Sequence, residues 1–203
     1  MTIADESPDD WLPRWLPLLE GSMRRAGGAP VLELGCGSGR DTAVLVAAGL
    51  PVVALELSAE HLASARQRVP SGAIFHQQDI RAPFPIAQAG AVLASLSLHY
   101  FSWPETVQLV ACIRDRLQPD GVLVCRLNSV RDVHHGAGSA PPADPADPHF
   151  IRVGGWDKRF FDRPQAEALF ADGWRCVHLQ ERTVQRYQLP KVLWEVVLQR
   201  DDA

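Results

Sequence analysis

The chain has 203 residues, 46% of them hydrophobic and 22% charged, with a formal net charge of −4. This length suits one domain with a sheet covered on both faces, and the composition is that of an ordinary globular protein. The mild acidity leaves no basic footprint for nucleic acid, and four scattered cysteines (Cys36, Cys112, Cys125, Cys176) without a C-x-x-C pair argue against a metal or disulfide framework.

The N-terminus is acidic (Asp5, Glu6, Asp9, Asp10), the opposite of a secretion signal, and no apolar run reaches membrane-spanning length. A cytoplasmic protein with reduced thiols is expected. Residues 11–23, with Pro13 and Pro17 near their start, read as a helix or pair of turns within an N-terminal helical segment, 1–28. Val31–Leu34 is the first strand; a helix over 41–48 follows, closed by Gly49. The second strand, 51–55, ends at Glu56, and Ser58 is placed to cap a helix over 59–69. Ala73–Gln77 runs to Asp79, and the continuously apolar 89–96 reads as a strand buried on both faces. A helix over 104–117 is stopped by Pro119-Asp120-Gly121, and a fifth strand spans 122–127. Residues 129–155 form a loop-rich, proline-containing insertion. A short helix at 164–171 and two long strands, 174–181 and 192–199, complete a chain with no repeats and no second core.

Alternating strands and helices predict an α/β doubly wound parallel sheet with helices on both faces. The last two strands lack a helix between them and must pair antiparallel, with a turn near Gln188-Leu189-Pro190. Between the first strand and its helix lies Glu33-Leu34-Gly35-Cys36-Gly37-Ser38-Gly39. Glycines at a strand's carboxyl end let backbone approach a nucleotide. A dinucleotide fingerprint from Gly35 requires glycine at Arg40, and from Gly37 at Thr42. No Gly-Lys-Ser/Thr follows to make a phosphate loop. Cys36, inside the turn, is either a small filler or a reactive thiol.

This pattern resembles motif I of class I S-adenosylmethionine methyltransferases, and five parallel units closed by a hairpin resemble that family's seven-stranded, Rossmann-like sheet. The resemblance implies a single domain over 1–203 that binds S-adenosyl-L-methionine and releases S-adenosyl-L-homocysteine. It places Glu33 opposite the methionine ammonium, and Gly35, Cys36, Gly37 and Gly39 beneath the methionine and ribose. It gives Glu56 the ribose hydroxyls, Leu57 an adenine face, Asp79 and the Ile80 N–H the adenine edge, and Ser95 the region of the methionine amine. The chemistry wants the same groups: acceptors for the sugar and adenine, and an anion for the ammonium. Methyl transfer is then an in-line displacement helped chiefly by orientation.

No Asn-Pro-Pro-Tyr segment ends the fourth strand. Ser95-Leu96-Ser97-Leu98-His99-Tyr100-Phe101, Arg126-Leu127-Asn128-Ser129 and Lys158-Arg159-Phe160-Phe161 look instead like a small-molecule branch of tellurite-resistance and thiopurine-type methyltransferases. His99 is the first acceptor-side residue, able to titrate near neutrality and to act as catalyst or as pocket lining. Arg126 is a second catalytic candidate. His99, Tyr100, Arg126, Asn128 and Arg159 form the expected acceptor site. Together with Arg131, Arg152 and Lys158, the arginines suggest a small acceptor bearing a carboxylate or another oxyanion. His134, His135 and His149 read as solvated loop residues rather than metal ligands. No nucleic-acid or membrane partner is expected, and the protein is a monomer or a homodimer. The rival readings are a regulatory protein that binds S-adenosylmethionine and a methyltransferase for a macromolecule.

Overall fold

The computed structural model describes residues 11–142, 144–185 and 188–201. Asp5, Glu6, Asp9 and Asp10 lie outside them. After a 3-10 turn, Pro13–Trp15, come α1 (Leu16–Arg25), β1 (Val31–Leu34), α2 (Arg40–Ala47), β2 (Val52–Glu56), α3 (Ala59–Arg68) and β3 (Ala73–Gln77). β4 (Ala89–Ser95), a 3-10 turn at Leu98–Tyr100, α4 (Trp103–Arg116) and β5 (Leu117–Asn128) follow. A third 3-10 turn (Val133–His135), β6 (Phe150–Val153), β7 (Trp156–Arg159), α5 (Arg163–Leu169), β8 (Trp174–Val184) and β9 (Lys191–Arg200) complete the described elements.

The main sheet has seven strands in the order β3-β2-β1-β4-β5-β9-β8. β1 to β5 are parallel, and β9 enters antiparallel between β5 and β8. The order reverses between β1 and β4, the crevice where open α/β sheets receive ligands. Alternation along each strand sorts the core into two layers. Leu32, Leu34, Val92 and Leu123 pack under α4 and α5 with Leu109, Ile113 and Leu169. Val31, Ala91, Leu93, Val122 and Val124 face α1, α2 and α3 through Leu19, Met23, Leu45 and Leu62. β4, between them, is buried along six of its seven residues, as its sequence demands. Ser58 caps α3, its hydroxyl accepting from the His61 N–H at 3.3 Å.

Two expectations need correction. Pro119-Asp120-Gly121 does not precede the fifth strand but lies within it: Leu117 already pairs with Ala89, and a register shift before Ala91↔Val122 absorbs the turn. Asp120 there adopts φ 59°. The loop-rich insertion, in turn, is partly ordered as a second sheet, the β6–β7 hairpin. Gly154 and Gly155 (φ 58° and 86°) supply the two left-handed residues of a tight hairpin turn. Beneath it Ala137, Ile151 and Phe160 form a small core of their own with Val130 and Val153. The insertion is thus a packed subdomain on the sheet's carboxyl edge rather than a plain loop.

Candidate functional site

β1 delivers Glu33 to the carboxyl edge on the same sheet face as Val31 and Leu93, where it is only 2% exposed. The Thr42 hydroxyl donates to it at 2.6 Å. Burial pushes its carboxyl up to about 8 despite that hydrogen bond, and the charges of Asp41 and Glu56 add to the rise. The chain then turns. Gly35 has φ 73°, and a Cβ there would lie 2.8 Å from Ser97 Cβ, so only glycine lets β1 and β4 close at this point. Gly37, at φ 54°, has nothing within 4 Å of where its Cβ would stand. Its backbone therefore borders open space.

Glu56, at the end of β2, faces that turn. One oxygen accepts from the Gly37 N–H at 2.9 Å and the other from the Ser58 N–H at 2.8 Å. A carboxylate offers about two lone pairs per oxygen, so each oxygen keeps capacity for another donor. Leu57 follows it with its side chain 61% exposed, an apolar surface without an interior partner. Cys36 is a filler: burial first, then Glu33 and Glu56, push its thiol up, so it is not a thiolate. Asp79 is gripped by Arg81 through the backbone N–H (2.9 Å) and the guanidinium, which also reaches Glu105. These bonds lower its pKa, so Asp79 is charged and fixed. The Ile80 side chain is buried in the core, which leaves only its backbone for a ligand.

At the end of β4, Leu96 is held in the left-handed region at φ 57°, its N–H donating to the Arg126 carbonyl at 3.0 Å. Non-glycine residues held in this region cluster at active sites and ligand clamps, and nothing in the sequence signalled this one. Ser95 does not present its hydroxyl to the open edge, because it accepts from Arg126 at 2.8 Å and 3.1 Å. Among the described residues, the Ser97 hydroxyl, His99 Nδ1 and Asn128 Oδ1 are buried without a hydrogen-bond partner. All three stand at or just past the ends of the adjacent strands β4 and β5. Such orphaned groups cost about 1–3 kcal/mol each and call for an explanation, for which a bound ligand is an obvious one.

Three acceptor-side expectations are corrected by burial and a fourth by a contact with a carboxylate. His99 does not titrate near neutrality: burial, reinforced by the charges of Lys191 and Lys158, holds it well below the usual histidine range. It is a neutral imidazole whose ring lies 4.2 Å from that of Tyr100, tilted by 40°. Arg126 is 0% exposed and cannot reach a substrate; Ser95, the Trp11 ring at 4.1 Å and Asp41 at 4.0 Å surround its guanidinium. Arg159 is also 0% exposed, bound to Asp147 at 2.8 Å and to the Phe101 carbonyl at 3.3 Å. His135 is not a free loop residue, for its Nδ1 lies 3.0 Å from the buried Asp132, which also accepts from Lys191 at 2.7 Å. Tyr100 remains 43% exposed beside this edge. Arg131 pairs with Glu181 and Arg152 with Asp157. Lys158 has no carboxylate partner among the described residues.

A roof over the sheet face that carries α1, α2 and α3 was not foreseen from the sequence. Trp11 donates to Asp41 at 3.4 Å, and Trp15 donates to the buried Glu195 at 2.8 Å with Arg14 paired to the same carboxylate. Glu195 lies opposite Arg126 in the β5–β9 ladder. Two tryptophans four residues apart before the first helix were the available signal.

Comparison with known proteins agrees with this geometry. Residues 31–121 match the family model for a methyltransferase domain. Over 101 residues the chain is 36% identical to a trans-aconitate 2-methyltransferase from Azoarcus sp. (strain BH72), covering 49% of this chain and 39% of that one. The chain spans less than half the length of the curated relatives it matches. Its fold is shared with a Burkholderia thailandensis 1,6-didemethyltoxoflavin-N1-methyltransferase solved with that compound and S-adenosylhomocysteine. The TM-score is 0.67 at 22% identity, over 96% of this chain and 82% of that one. A SAM-dependent methyltransferase from Methanosarcina mazei superposes with TM-score 0.70 at 14% identity, over 85% and 92% of the two chains. The architecture is that of the Rossmann-like class I methyltransferases.

Proposed function

We propose that this chain, with a methyltransferase domain at residues 31–121, is an S-adenosylmethionine-dependent enzyme that methylates a small, anion-bearing acceptor. The observation that carries the reading is the pair of carboxylates around the open Gly37 turn. Glu33 is a buried acid whose pKa of about 8 marks an environment short of positive charge, which a ligand ammonium would supply. Glu56, fixed by two backbone donors, has lone pairs left for two ribose hydroxyls. Leu57 would cover adenine, with the Ile80 N–H and the Arg81-bound Asp79 at its edge. Gly35, Cys36 and Gly39 shape the turn, and the backbone near Ser95 closes the methionine end.

Bound there, S-adenosylmethionine supplies a methyl group on a sulfonium, which the acceptor takes by in-line displacement. The chain's own contribution is to hold the acceptor in line and keep water out; orientation alone offers roughly 7–11 kcal/mol in well-arranged systems. His99, neutral and with no partner for Nδ1 among the described residues, can hydrogen-bond an acceptor. Asn128 offers its unpartnered Oδ1 from the next strand. Tyr100 lines the opening. Arg126 and Arg159 hold the frame rather than the substrate. The three segments that resemble the tellurite-resistance and thiopurine branch, and the similarity to an enzyme named for trans-aconitate, support a small acceptor.

Incubating the protein with S-adenosylmethionine labelled in its methyl group and a bacterial extract, then separating by size, tests this. Label is expected in the small-molecule fraction. Label confined to protein or nucleic acid would overturn the acceptor class. Tight cofactor binding with no transfer at all would favour a regulatory binding protein.

A further inference from the structure

We infer that Trp156 and Lys158, on one face of the β6–β7 hairpin, recognise the acceptor as an aromatic ring carrying a carboxylate; this rests on the methyltransferase reading above. Val153↔Trp156 and Ile151↔Lys158 pair across the hairpin, so Trp156 and Lys158, two residues apart, project from the same face. That hairpin is fastened beside the Leu98–Tyr100 turn. Arg159, fully buried, donates to the Phe101 carbonyl and binds Asp147, with the rings of Trp103 and Phe150 5.5 Å and 5.2 Å from its guanidinium. Lys158 is therefore held next to a rigid anchor.

The Trp156 ring meets Tyr100 edge-on at 6.4 Å, and Tyr100 in turn lies against His99 at 4.2 Å with the rings tilted by 40°. The three rings form a ladder from a buried imidazole to solvent. Its outer members are 43% and 65% exposed, beside a buried nitrogen with no hydrogen-bond partner among the described residues. Aromatic rings favour offset and edge-to-face neighbours, and a planar acceptor would extend the ladder.

Charge supplies the second half of the assignment. Arg131, Arg152 and Arg159 each have a carboxylate partner within the insertion or on β8. Lys191 shares Asp132, although two of its three protons remain for other acceptors. Lys158 lies close enough for its charge, with that of Lys191, to oppose protonation of His99, and it alone of these cations has no carboxylate partner among the described residues. One unmatched ammonium suits a singly charged carboxylate. A phosphate dianion would call for a guanidinium fork, and the nearby forks are already bound.

The test uses the protein saturated with S-adenosylhomocysteine and 2-naphthoate as a fluorescent probe. 2-Naphthamide, 2-naphthyl phosphate and cyclohexanecarboxylate serve as comparisons. 2-Naphthoate should bind about tenfold tighter than the amide and than cyclohexanecarboxylate. Lys158→Gln should weaken the acid by about tenfold and leave the amide unchanged. Trp156→Ala should weaken both aromatic ligands, and neither variant should alter the affinity for S-adenosylhomocysteine, which also reports on folding. Equal binding of acid and amide, an unaffected Lys158→Gln variant, or tighter binding of the phosphate would overturn this inference alone. Failure of the unaltered protein to bind S-adenosylhomocysteine would instead strike the underlying reading.

Discussion

Glu33 carries a proton at neutral pH in the ligand-free fold, and this has consequences in two directions. Its folded pKa of about 8 lies above its ordinary value of 4.5, so between these the folded chain holds a proton that the unfolded chain releases. This contribution to stability is full below about 4.5 and is lost as pH rises through 8. A ligand ammonium reverses the preference by favouring the carboxylate. Affinity for S-adenosylhomocysteine should therefore rise with pH towards about 8, by up to tenfold per unit, and then level off. Calorimetry in buffers of different ionisation enthalpy would show the released proton, and Glu33→Gln should abolish the slope. Glu56→Ala strips the acceptor from the Gly37 and Ser58 N–H groups. It should weaken S-adenosylhomocysteine at least tenfold and lower stability by about 1–3 kcal/mol, measured by titration and chemical unfolding. Both residues stood out in the sequence because an acid at the end of an apolar run is a local pattern. Arg126 and Arg159 were misread for the converse reason: their partners Asp41, Ser95, Trp11 and Asp147 are distant in sequence, so burial was invisible.

Although β5 begins at Leu117 rather than at 122, the glycine turn and the strand–helix alternation were legible among the elements, since hydrophobic period and turn chemistry fix them locally. The β6–β7 hairpin was not, although Gly154-Gly155 between short β-prone runs is a hairpin signal; the prolines upstream hid it. The hairpin's attachment depends on the Arg159–Asp147 pair. Arg159→Met leaves the partly exposed Asp147 without its guanidinium and the Phe101 carbonyl without its donor, at a cost of about 1–3 kcal/mol. The effect should be local. Limited proteolysis should cut within 144–155 sooner, while the affinity for S-adenosylhomocysteine stays unchanged; equal protease resistance would place the anchor elsewhere. The N-terminal roof behaves differently because Trp11, 5% exposed, packs into the main core and over Arg126. Trp11→Ala should lower global stability by about 3–5 kcal/mol in denaturant titration.

For the whole molecule, the sheet order places β1 and β4 side by side, with the acids of β1 and β2 on one flank and the unpartnered Ser97, His99 and Asn128 on the other. One flank suits the cofactor and the other the acceptor, and the junction lies at Gly35 against Ser97. The acids of the proposed donor side stood out in the sequence because each closes or follows an apolar run. The acceptor side depends on an insertion whose packing rests on contacts remote in sequence, and no local spacing encodes them. Among the described residues no helix is long and apolar enough to cross a membrane. Binding of S-adenosylmethionine at this sheet edge is tested by equilibrium unfolding with S-adenosylmethionine, S-adenosylhomocysteine or NAD. Either sulfur ligand at 100 times its dissociation constant should add about 2.7 kcal/mol of stability while NAD adds none; stabilisation by NAD and by neither sulfur ligand would contradict it.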